Sequence, residues 1–272
     1  MERNGLRDLL EARVEDAIAK CGRGILSCVS FLTPRERKQA ERYLRRAGAW
    51  EQAWWWGGYE TAERACLFLL PDYLCACLSA IPTECPADEV QALLGEDAEE
   101  AVSAVLIEGS GYATLSHRDF LGAILATGLE RDALGDVAVQ DTRRAVLFCP
   151  RTLVPFLCET LERVGSDTVR VRSYVPAADF TDGRHYQPIR DTVASERLDC
   201  VVAALCNLSR DASQALIRSG AVEVDFEECD RVDALLAPPV TISARGYGRF
   251  ILRSFDGETR KGRLRLCADK LV

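Results

Sequence analysis

The sequence predicts an α+β fold in three regions, and three observations carry this prediction. The first 80 residues contain amphipathic helical stretches followed by one apolar strand. Residues 85–176 follow the order strand, helix, strand, strand, helix, strand. From 195 to 266, two short helices lead into alternating strands. We therefore expect a mainly helical N-terminal domain at 1–80, a middle domain at 85–176, a linker at 177–194 and a C-terminal domain at 195–266.

Two helices are predicted in the N-terminal region, over 5–20 and 34–47. Thr33 before Pro34 and Glu36 is a helix-start signal, because a first turn tolerates Pro and the Thr hydroxyl can accept from a free amide. The second helix has six basic side chains: Arg35, Arg37, Lys38, Arg42, Arg45 and Arg46. They indicate either a solvated helix face, with Glu41 and Arg45 paired at i,i+4, or an RNA contact. The candidates for such an accessory contact are Arg37, Lys38 and Arg45.

The middle region has the element order of a split-βαβ, ferredoxin-like domain, an architecture shared with RNA-recognition motifs. Ser116 and Asp119 predict a capping box at the start of its first helix, and the second helix is expected over 152–164. RNA-recognition motifs stack bases on aromatic side chains of their sheet, and the sequence signature for this is missing. The pattern therefore does not favour RNA contact through the middle sheet.

The C-terminal region concentrates arginine. Arg197, Arg210 and Arg218 fall at the ends of the two predicted helices, with Ser209 as the cap of the second helix and Gly220 at its end. Residues 245–265 carry seven basic and two acidic side chains, a net charge of +5 in a chain whose total is −8. Guanidinium groups bind phosphate through two parallel hydrogen bonds, and such clusters are typical of nucleic-acid binding. The predicted RNA-binding residues are Arg197, Arg210, Arg218, Arg245, Arg249, Arg260, Lys261 and Arg263.

Five of these residues lie in recognisable motifs. The segments RLD (197–199), LSR (208–210), LIRSGAVEV (216–224) and RGYGRF (245–250) resemble the S4 RNA-binding domain, also called the alpha-L fold. The resemblance covers about a quarter of the chain. One departure is the Pro238-Pro239 pair, where such domains often have a Gly-Asp turn. Since each proline ring fixes φ and removes a donor, we expect a stiffer turn at this position.

A second resemblance spans nearly the whole chain. FLTPRE (31–36), WGGYETAER (56–64) and HRDFLGAIL (117–125) resemble segments of the bacterial YlmH-like S4-domain proteins, also found in cyanobacteria under a photosystem-related label. This resemblance implies binding to the large ribosomal subunit in ribosome-associated quality control. The S4 domain would contact 23S rRNA and the tRNA of an obstructed subunit. It also implies a non-catalytic role without a cofactor.

Composition limits the other possibilities. Apolar residues make up 48% and charged residues 28%, as in ordinary soluble proteins. The most apolar stretch, 65–81, contains Pro71 and Asp72 and is too short to cross a bilayer. Twelve cysteines without a C-x-x-C pair, and only two histidines, favour reduced, buried thiols over zinc or disulfides. We expect a cytoplasmic protein, a monomer without metal, that has no membrane contact.

The alternative function is an RNA-modifying enzyme of the methyltransferase or pseudouridine synthase type, with an S4 domain for targeting. Gly109-Ser110-Gly111 lacks the third glycine of a dinucleotide loop, because Thr114 stands in its place, so a turn is favoured. His117 and Asp119 lie at a predicted helix start, where a structural role is more common than catalysis. The sequence therefore predicts no catalytic residues.

Overall fold

The computed structural model describes residues 2–177 and 179–272. It contains helices and three separate sheets, which confirms the predicted α+β class. The chain forms two compact units, Met1–Gly183 (unit 1) and Arg184–Val272 (unit 2). The predicted N-terminal and middle regions therefore share one compact unit. No helix in the described ranges is long and apolar enough to cross a membrane.

The N-terminal part of unit 1 packs two long helices on a small antiparallel sheet. Its elements are α1 (Glu2–Cys21), β1 (Ser27–Leu32), α2 (Pro34–Ala47), β2 (Ala53–Trp56) and β3 (Ala65–Leu69), with strand order β1-β3-β2. The capping box predicted for α2 is confirmed: the Thr33 hydroxyl accepts from the Glu36 amide, and the Glu36 carboxylate accepts from the Thr33 amide. Gly48 ends the helix in the left-handed conformation, with φ of 72°.

The rest of unit 1 contains three short helices and a five-stranded antiparallel sheet. The helices before the sheet are α3 (Asp72–Cys75), α4 (Ala87–Leu94) and α5 (Glu96–Ala101). The sheet and the two further helices that connect its strands are formed by β4 (Ser103–Gly109), α6 (His117–Ala126), β5 (Val137–Val139), β6 (Arg144–Cys149), α7 (Leu153–Thr160), β7 (Arg163–Val164) and β8 (Asp167–Tyr174). The strand order is β5-β6-β4-β8-β7. The predicted succession of four strands and two helices is present, with β7 as an additional short strand.

Helix α7 is shorter than the sequence pattern predicts. It ends at Thr160, whereas the sequence pattern predicts a helix over 152–164. Residues Arg163 and Val164 instead pair with Thr168 and Asp167 across a tight turn, in which Gly165 has φ of 57°. The pairing with β8 therefore replaces the last helical turn, which the apolar periodicity alone cannot reveal.

Unit 1 is built in four layers. One face of the N-terminal sheet packs on α1 and α2 through Leu67 and Leu69. Its other face, with Phe68 and Trp54, packs on Ala104 and Phe148 of the second sheet. The far face of that second sheet packs on α6 and α7 through residues such as Ile107 and Leu147. Because strand side chains alternate between faces, β3 and β6 are buried on both sides.

A buried carboxylate joins the two sheets of unit 1. Asp136 is 6% exposed, and it accepts from the Tyr59 hydroxyl at 2.8 Å and from the Glu63 and Arg64 amides at 2.7 and 3.2 Å. The Arg64 guanidinium is also buried and donates to the Leu134 carbonyl at 2.8 Å. The segment WGGYETAER therefore connects the N-terminal sheet, through these hydrogen bonds, to the residues just before β5.

Unit 2 is a six-stranded antiparallel sheet covered on one face by two helices. Its elements are β9 (Tyr186–Val193), α8 (Leu198–Cys206), α9 (Arg210–Arg218), β10 (Val222–Val224), β11 (Glu227–Glu228), β12 (Val240–Ala244), β13 (Gly248–Glu258) and β14 (Leu264–Leu271). The strand order is β11-β10-β12-β13-β14-β9. Val201, Leu205 and Ile217 of the helices pack on Phe250 and Leu266 of the sheet.

Two predictions for this region need correction. The predicted linker contains β9, because residues 186–193 pair with all eight residues of β14. The strand expected over 221–226 stops at Val224, since Asp225 and Phe226 have φ of 48° and 66° and turn the chain.

The cap predicted for α9 is confirmed: the Ser209 hydroxyl accepts from the Ala212 amide at the start of α9. Gly220 follows this helix with φ of 70°.

Candidate nucleic-acid interface

The three arginines predicted on the helix pair meet in one side-chain network. Its centre is Asp199, in the first turn of α8, whose side chain is fully buried. Arg197 donates from Nε to Asp199 Oδ1 at 3.0 Å and from Nη2 to Oδ2 at 3.1 Å. Arg210 donates from Nε to Asp199 Oδ2 at 3.2 Å. Gln214 donates to the same oxygen at 2.8 Å and accepts from Arg218 at 3.3 Å.

The network holds the two helices together as well as the side chains. Ser213 of α9 is buried and donates its hydroxyl proton to the Asp199 carbonyl oxygen at 2.9 Å. Asn207, in the left-handed conformation with φ of 52°, ends α8 and lets the chain turn within three residues into α9. The distances among Arg197, Asp199 and Arg210 are therefore fixed by the backbone of both helices.

The charge state of Asp199 follows from these contacts. Burial alone would raise the pKa of its carboxyl group, but hydrogen bonds from Arg197, Gln214 and Arg210 outweigh burial and hold the pKa well below the usual range. One negative charge thus faces two guanidinium groups. The Asp199 carboxylate and the guanidinium groups of Arg197 and Arg210 together have a net charge of +1 at neutral pH.

The guanidinium groups keep donors for a ligand. The Arg197 and Arg210 side chains are 34% and 60% exposed, although each contacts Asp199. A guanidinium has five N–H donors in a planar fork. Arg210 uses its Nε–H on Asp199, so its two terminal nitrogens remain available for a phosphate. Asp199 therefore orients these groups towards solvent.

The remaining predicted residues of unit 2 fall into two groups at opposite ends of β13. Arg245 lies in the turn before β13, and its amide donates to the Ala221 carbonyl just after α9, at 2.9 Å. Arg249, near the start of β13, has its guanidinium 5.2 Å from the Phe226 ring centroid. Arg245 is thereby brought near the end of α9, which carries Arg218.

The other group lies in the turn between β13 and β14. Arg260 and Lys261 are exposed there, and Arg263 donates to the hydroxyl oxygen of Thr192 at 3.1 Å and to its carbonyl oxygen. The 11 residues of β13 separate this turn from Arg245, which corresponds to roughly 35 Å at the usual rise per strand residue. The structure therefore does not gather all eight predicted residues into one patch.

The accessory candidates on α2 differ from one another. Arg37 points into unit 1, where it donates to the carbonyl oxygens of Ala62 and Glu63 at 3.2 and 3.4 Å. Burial lowers the pKa of its guanidinium. Arg45 is exposed, and its guanidinium lies 3.8 Å from the Trp50 ring centroid. Arg37 thus has a structural contact, whereas Arg45 faces solvent.

Asp199 and Gln214 are members of the network that the sequence motifs do not indicate as binding residues. Asp199 could have been identified from the sequence, because it is a carboxylate among the apolar helical residues Leu198, Val201 and Val202. Its position in the helix faces the core. A buried acid needs a partner, and two arginines were already predicted nearby. Gln214 had no comparable signal, because its role depends on the packing of α9 against α8.

The chain is similar to known proteins. The chain is 30% identical over 221 residues to the "Ribosome-associated protein quality control protein P2" of Bacillus subtilis (strain 168), covering 79% of this chain and 76% of that protein. The chain belongs to the YlmH family. Residues 102–177 match the family model described as "Putative RNA-binding domain in YlmH". The resemblance found in FLTPRE, WGGYETAER and HRDFLGAIL is thereby confirmed.

A solved structure is also similar. The "Cell division protein ylmH from Streptococcus pneumoniae" aligns with 61% of this chain and 90% of its own length, at 19% identity and a TM-score of 0.44.

The matched YlmH region corresponds to the five-stranded sheet with α6 and α7, where the sequence did not favour RNA contact. Part of the sheet face opposite these helices is covered, since Ala104 and Phe148 pack against the N-terminal sheet. The register places Arg170 and Arg172 on that same face, beyond the covered part, and both are exposed. A flat base-stacking platform of the RNA-recognition type is therefore not open at the centre of this sheet.

The described residues contain no group of three or more His, Cys, Asp or Glu side chains arranged to hold a metal ion. The Gly109-Ser110-Gly111 segment forms a turn around Asp167, which accepts from the Ser110 hydroxyl and, at 3.1 Å, from the Gly111 amide. Ser116 and Asp119 form the predicted capping box of α6.

Proposed function

We propose that this YlmH-family chain is a non-catalytic, cytoplasmic RNA-binding protein that acts in ribosome-associated quality control. In this proposal unit 2 is an S4 domain, and it binds the large ribosomal subunit at 23S rRNA and the tRNA beside it. The middle sheet of unit 1 is the ferredoxin-like domain expected from its element order. Membership of the family and the name of the Bacillus subtilis relative support the ribosomal setting.

The observation that carries the proposal is the Asp199 network. It holds Arg197 and Arg210 in fixed positions on an exposed helix pair, and Arg218 is tied to the same network through Gln214. Fixed guanidinium forks lose less entropy on binding phosphate than mobile ones. Such contacts recognise the shape and charge of an RNA backbone, which suits a structured ribosomal RNA.

Binding to purified large subunits across a salt series tests the assignment. We expect the Arg197→Ala/Arg210→Ala variant to bind more weakly and to show a shallower dependence of log K on log salt. Each lost phosphate contact should reduce the slope by about 0.7–0.9, because fewer counterions are released. Filter binding or sedimentation at four salt concentrations gives this slope.

Arg253→Ala is the matched control. Arg253 is also an exposed arginine of unit 2, but it is paired with Asp269 at 2.7 Å on the sheet face away from the helices. It should leave the slope unchanged. Equal slopes for the folded double variant and the wild type would refute the assigned surface. Transfer of label from S-adenosylmethionine to RNA by the wild type would contradict the non-catalytic role.

A further inference from the structure

The loop between β4 and α6 carries an exposed aromatic ring. Tyr112 is 85% exposed in this loop, which covers residues 110–116. A tyrosine ring has a large apolar surface, and burying that surface against a partner is favourable. A ring that stays in water on a surface loop is therefore available to a ligand.

The position of this loop is fixed by Asp167, which is 1% exposed at the start of β8. Its carboxylate accepts from the Ser110 hydroxyl and, at 3.1 Å, from the Gly111 amide. Gly109 leaves space for the carboxylate, since an added Cβ would lie 2.9 Å from Asp167 Oδ2. Because the backbone before Tyr112 is already held, a ligand that binds here loses little loop entropy.

Four arginines gather at the same end of the five-stranded sheet. Arg144, Glu108 and Arg170 form a row across β6, β4 and β8 in the strand register. Neighbouring strands lie about 4.8 Å apart, so the row spans roughly 10 Å. Arg172 lies two residues further along β8 on the same face, and Arg143 directly precedes β6. All four arginines are exposed.

One of these arginines lies against the loop. The Arg143 carbonyl oxygen accepts from the Gly109 amide at 2.8 Å, which joins the two backbones. A Cβ added to Gly111 would lie 2.9 Å from Arg143 Cδ and 3.5 Å from its Nη1. The Arg143 side chain therefore packs on the residue next to Tyr112, and a guanidinium group and an aromatic ring are presented close together.

The carboxylates at this end of the sheet leave two arginines for a ligand. Asp141 accepts from the Arg143 and Arg144 amides, and its other oxygen accepts from Arg144 Nε at 2.8 Å. Glu108 lies between Arg144 and Arg170 in the register. In the part of the chain that the structure describes, no carboxylate forms an ion pair with the side chain of Arg143 or Arg172.

We propose that this end of the sheet binds unpaired RNA, with a base stacked on Tyr112 and phosphates held by Arg143 and Arg172. This inference rests on the proposed RNA-binding function and adds a second site with a different ligand. The site lies within the region that matches the YlmH family model. Since the centre of the sheet is covered, the loop takes the place of the base-stacking platform of RNA-recognition motifs.

A single strand fits these residues better than a duplex or a protein. A ring can stack on a base only where that base is not already stacked within a helix. A protein partner would bury an apolar patch, and the loop neighbours Ser110, Gly111 and Thr114 add little apolar surface to Tyr112. Aromatic rings beside cationic side chains are typical of single-strand binding.

The test measures binding of the full-length chain to a fluorescein-labelled oligouridine of about ten nucleotides, a usual length for a single-strand site. Tyr112→Ala should raise the Kd about 5–150-fold, the factor that corresponds to the loss of one stacked base. Tyr112→Phe keeps the ring and should bind like the wild type. Tyr73→Ala is the matched control, because Tyr73 is 59% exposed on α3, outside the proposed site. It should leave the Kd unchanged.

Salt dependence tests the arginines. Arg143→Gln/Arg172→Gln should reduce the slope of log K against log salt by about 1.4, that is about 0.7 for each phosphate contact on a single strand. The charge-matched control is Arg23→Gln/Arg253→Gln, whose arginines are exposed after α1 and on β13. This control should keep the wild-type slope. If the double variant does not fold, Arg172→Gln alone gives the comparison for one contact.

A duplex RNA of the same length separates stacking from charge. Tyr112→Ala should leave the affinity for the duplex unchanged, and an equal loss on both RNAs overturns the inference. A wild type that does not bind the oligouridine also overturns it, as do site variants that bind like their controls. The Arg197→Ala/Arg210→Ala variant on large subunits remains the test of the helix pair, so either proposal can fail without the other.

Discussion

At the scale of single residues, Asp199 decides how the helix pair presents its charge. A buried carboxylate is stable only with full hydrogen bonding, and this one has two arginines and a glutamine as donors. The same contacts fix the two guanidinium groups that we assign to RNA. The residue that orients the binding groups is therefore also a residue on which the fold of unit 2 depends.

Replacing Asp199 with Asn should destabilise unit 2 by about 2–4 kcal/mol, because the two arginines lose a buried counter-charge. The pKa of Asp199 is depressed in the folded state, so its contribution is complete above the unfolded value of about 4 and disappears as the pH falls below it. The difference in unfolding free energy between wild type and variant should therefore narrow from pH 5 to pH 2. Urea titrations at several pH values measure it.

Asp211→Asn is the control for this prediction. Asp211 is exposed in the first turn of α9, where it interacts with the helix dipole at the surface. Its loss should cost less than about 1 kcal/mol, because solvent screens this interaction. If Asp199→Asn were equally mild at neutral pH, the network would not be a stabilising contact.

At the scale of elements, the turn between β2 and β3 depends on a glycine. Gly58 has φ of 99°, and an added Cβ would lie 2.1 Å from Cδ1 of Phe148 on the facing sheet. Both the backbone conformation and the close approach exclude a side chain. This turn is one of the positions where the two sheets of unit 1 come into contact.

Gly58→Ala should lower the free energy of unfolding by about 2–4 kcal/mol, from overpacking and backbone strain together. Gly122→Ala is the contrasting variant, since Gly122 is exposed within α6 and has open space around its Cα. Alanine there should stabilise the chain by about 0.5–1 kcal/mol through its higher helix propensity. Denaturation curves of both variants measure these opposite effects, and a neutral Gly58→Ala would contradict the close packing.

At the scale of the molecule, unit 1 joins two sheets that the sequence pattern predicts as separate domains. The apolar layer between the two sheets includes Phe68, Trp54 and Phe148. Beside this layer, Asp136 accepts three hydrogen bonds from the segment between β2 and β3. The N-terminal region and the region that matches the YlmH family model should therefore unfold together.

Asp136→Asn tests this coupling. The amide would bring two donors towards the Glu63 and Arg64 amides, and we expect a loss of about 2–4 kcal/mol from unpaired buried groups. Hydrogen exchange should accelerate in β3 and in β6 together. Asp132→Asn is the control, because Asp132 is 79% exposed and reaches Arg64 only at 3.8 Å. Faster exchange in only one of the two sheets would show that they are not a cooperative unit.

The local features of this protein can be predicted from short stretches of its sequence. The caps at Thr33, Ser116 and Ser209 were predicted correctly, because a cap depends on residues only three positions apart. The α+β class and the YlmH family also followed from sequence, since periodicity and motif segments are carried by short stretches.

Features that depend on partners distant in sequence become visible only in the folded chain. The sequence predicts a linker where β9 lies, because the pairing partner of this strand, β14, begins about 70 residues later. The same reason explains why Arg37 turned inward, towards carbonyls 25 residues away, while its neighbours on α2 stayed outside. The predicted arginines were divided between a network around Asp199 and two ends of β13, because packing and strand register place side chains and sequence spacing does not.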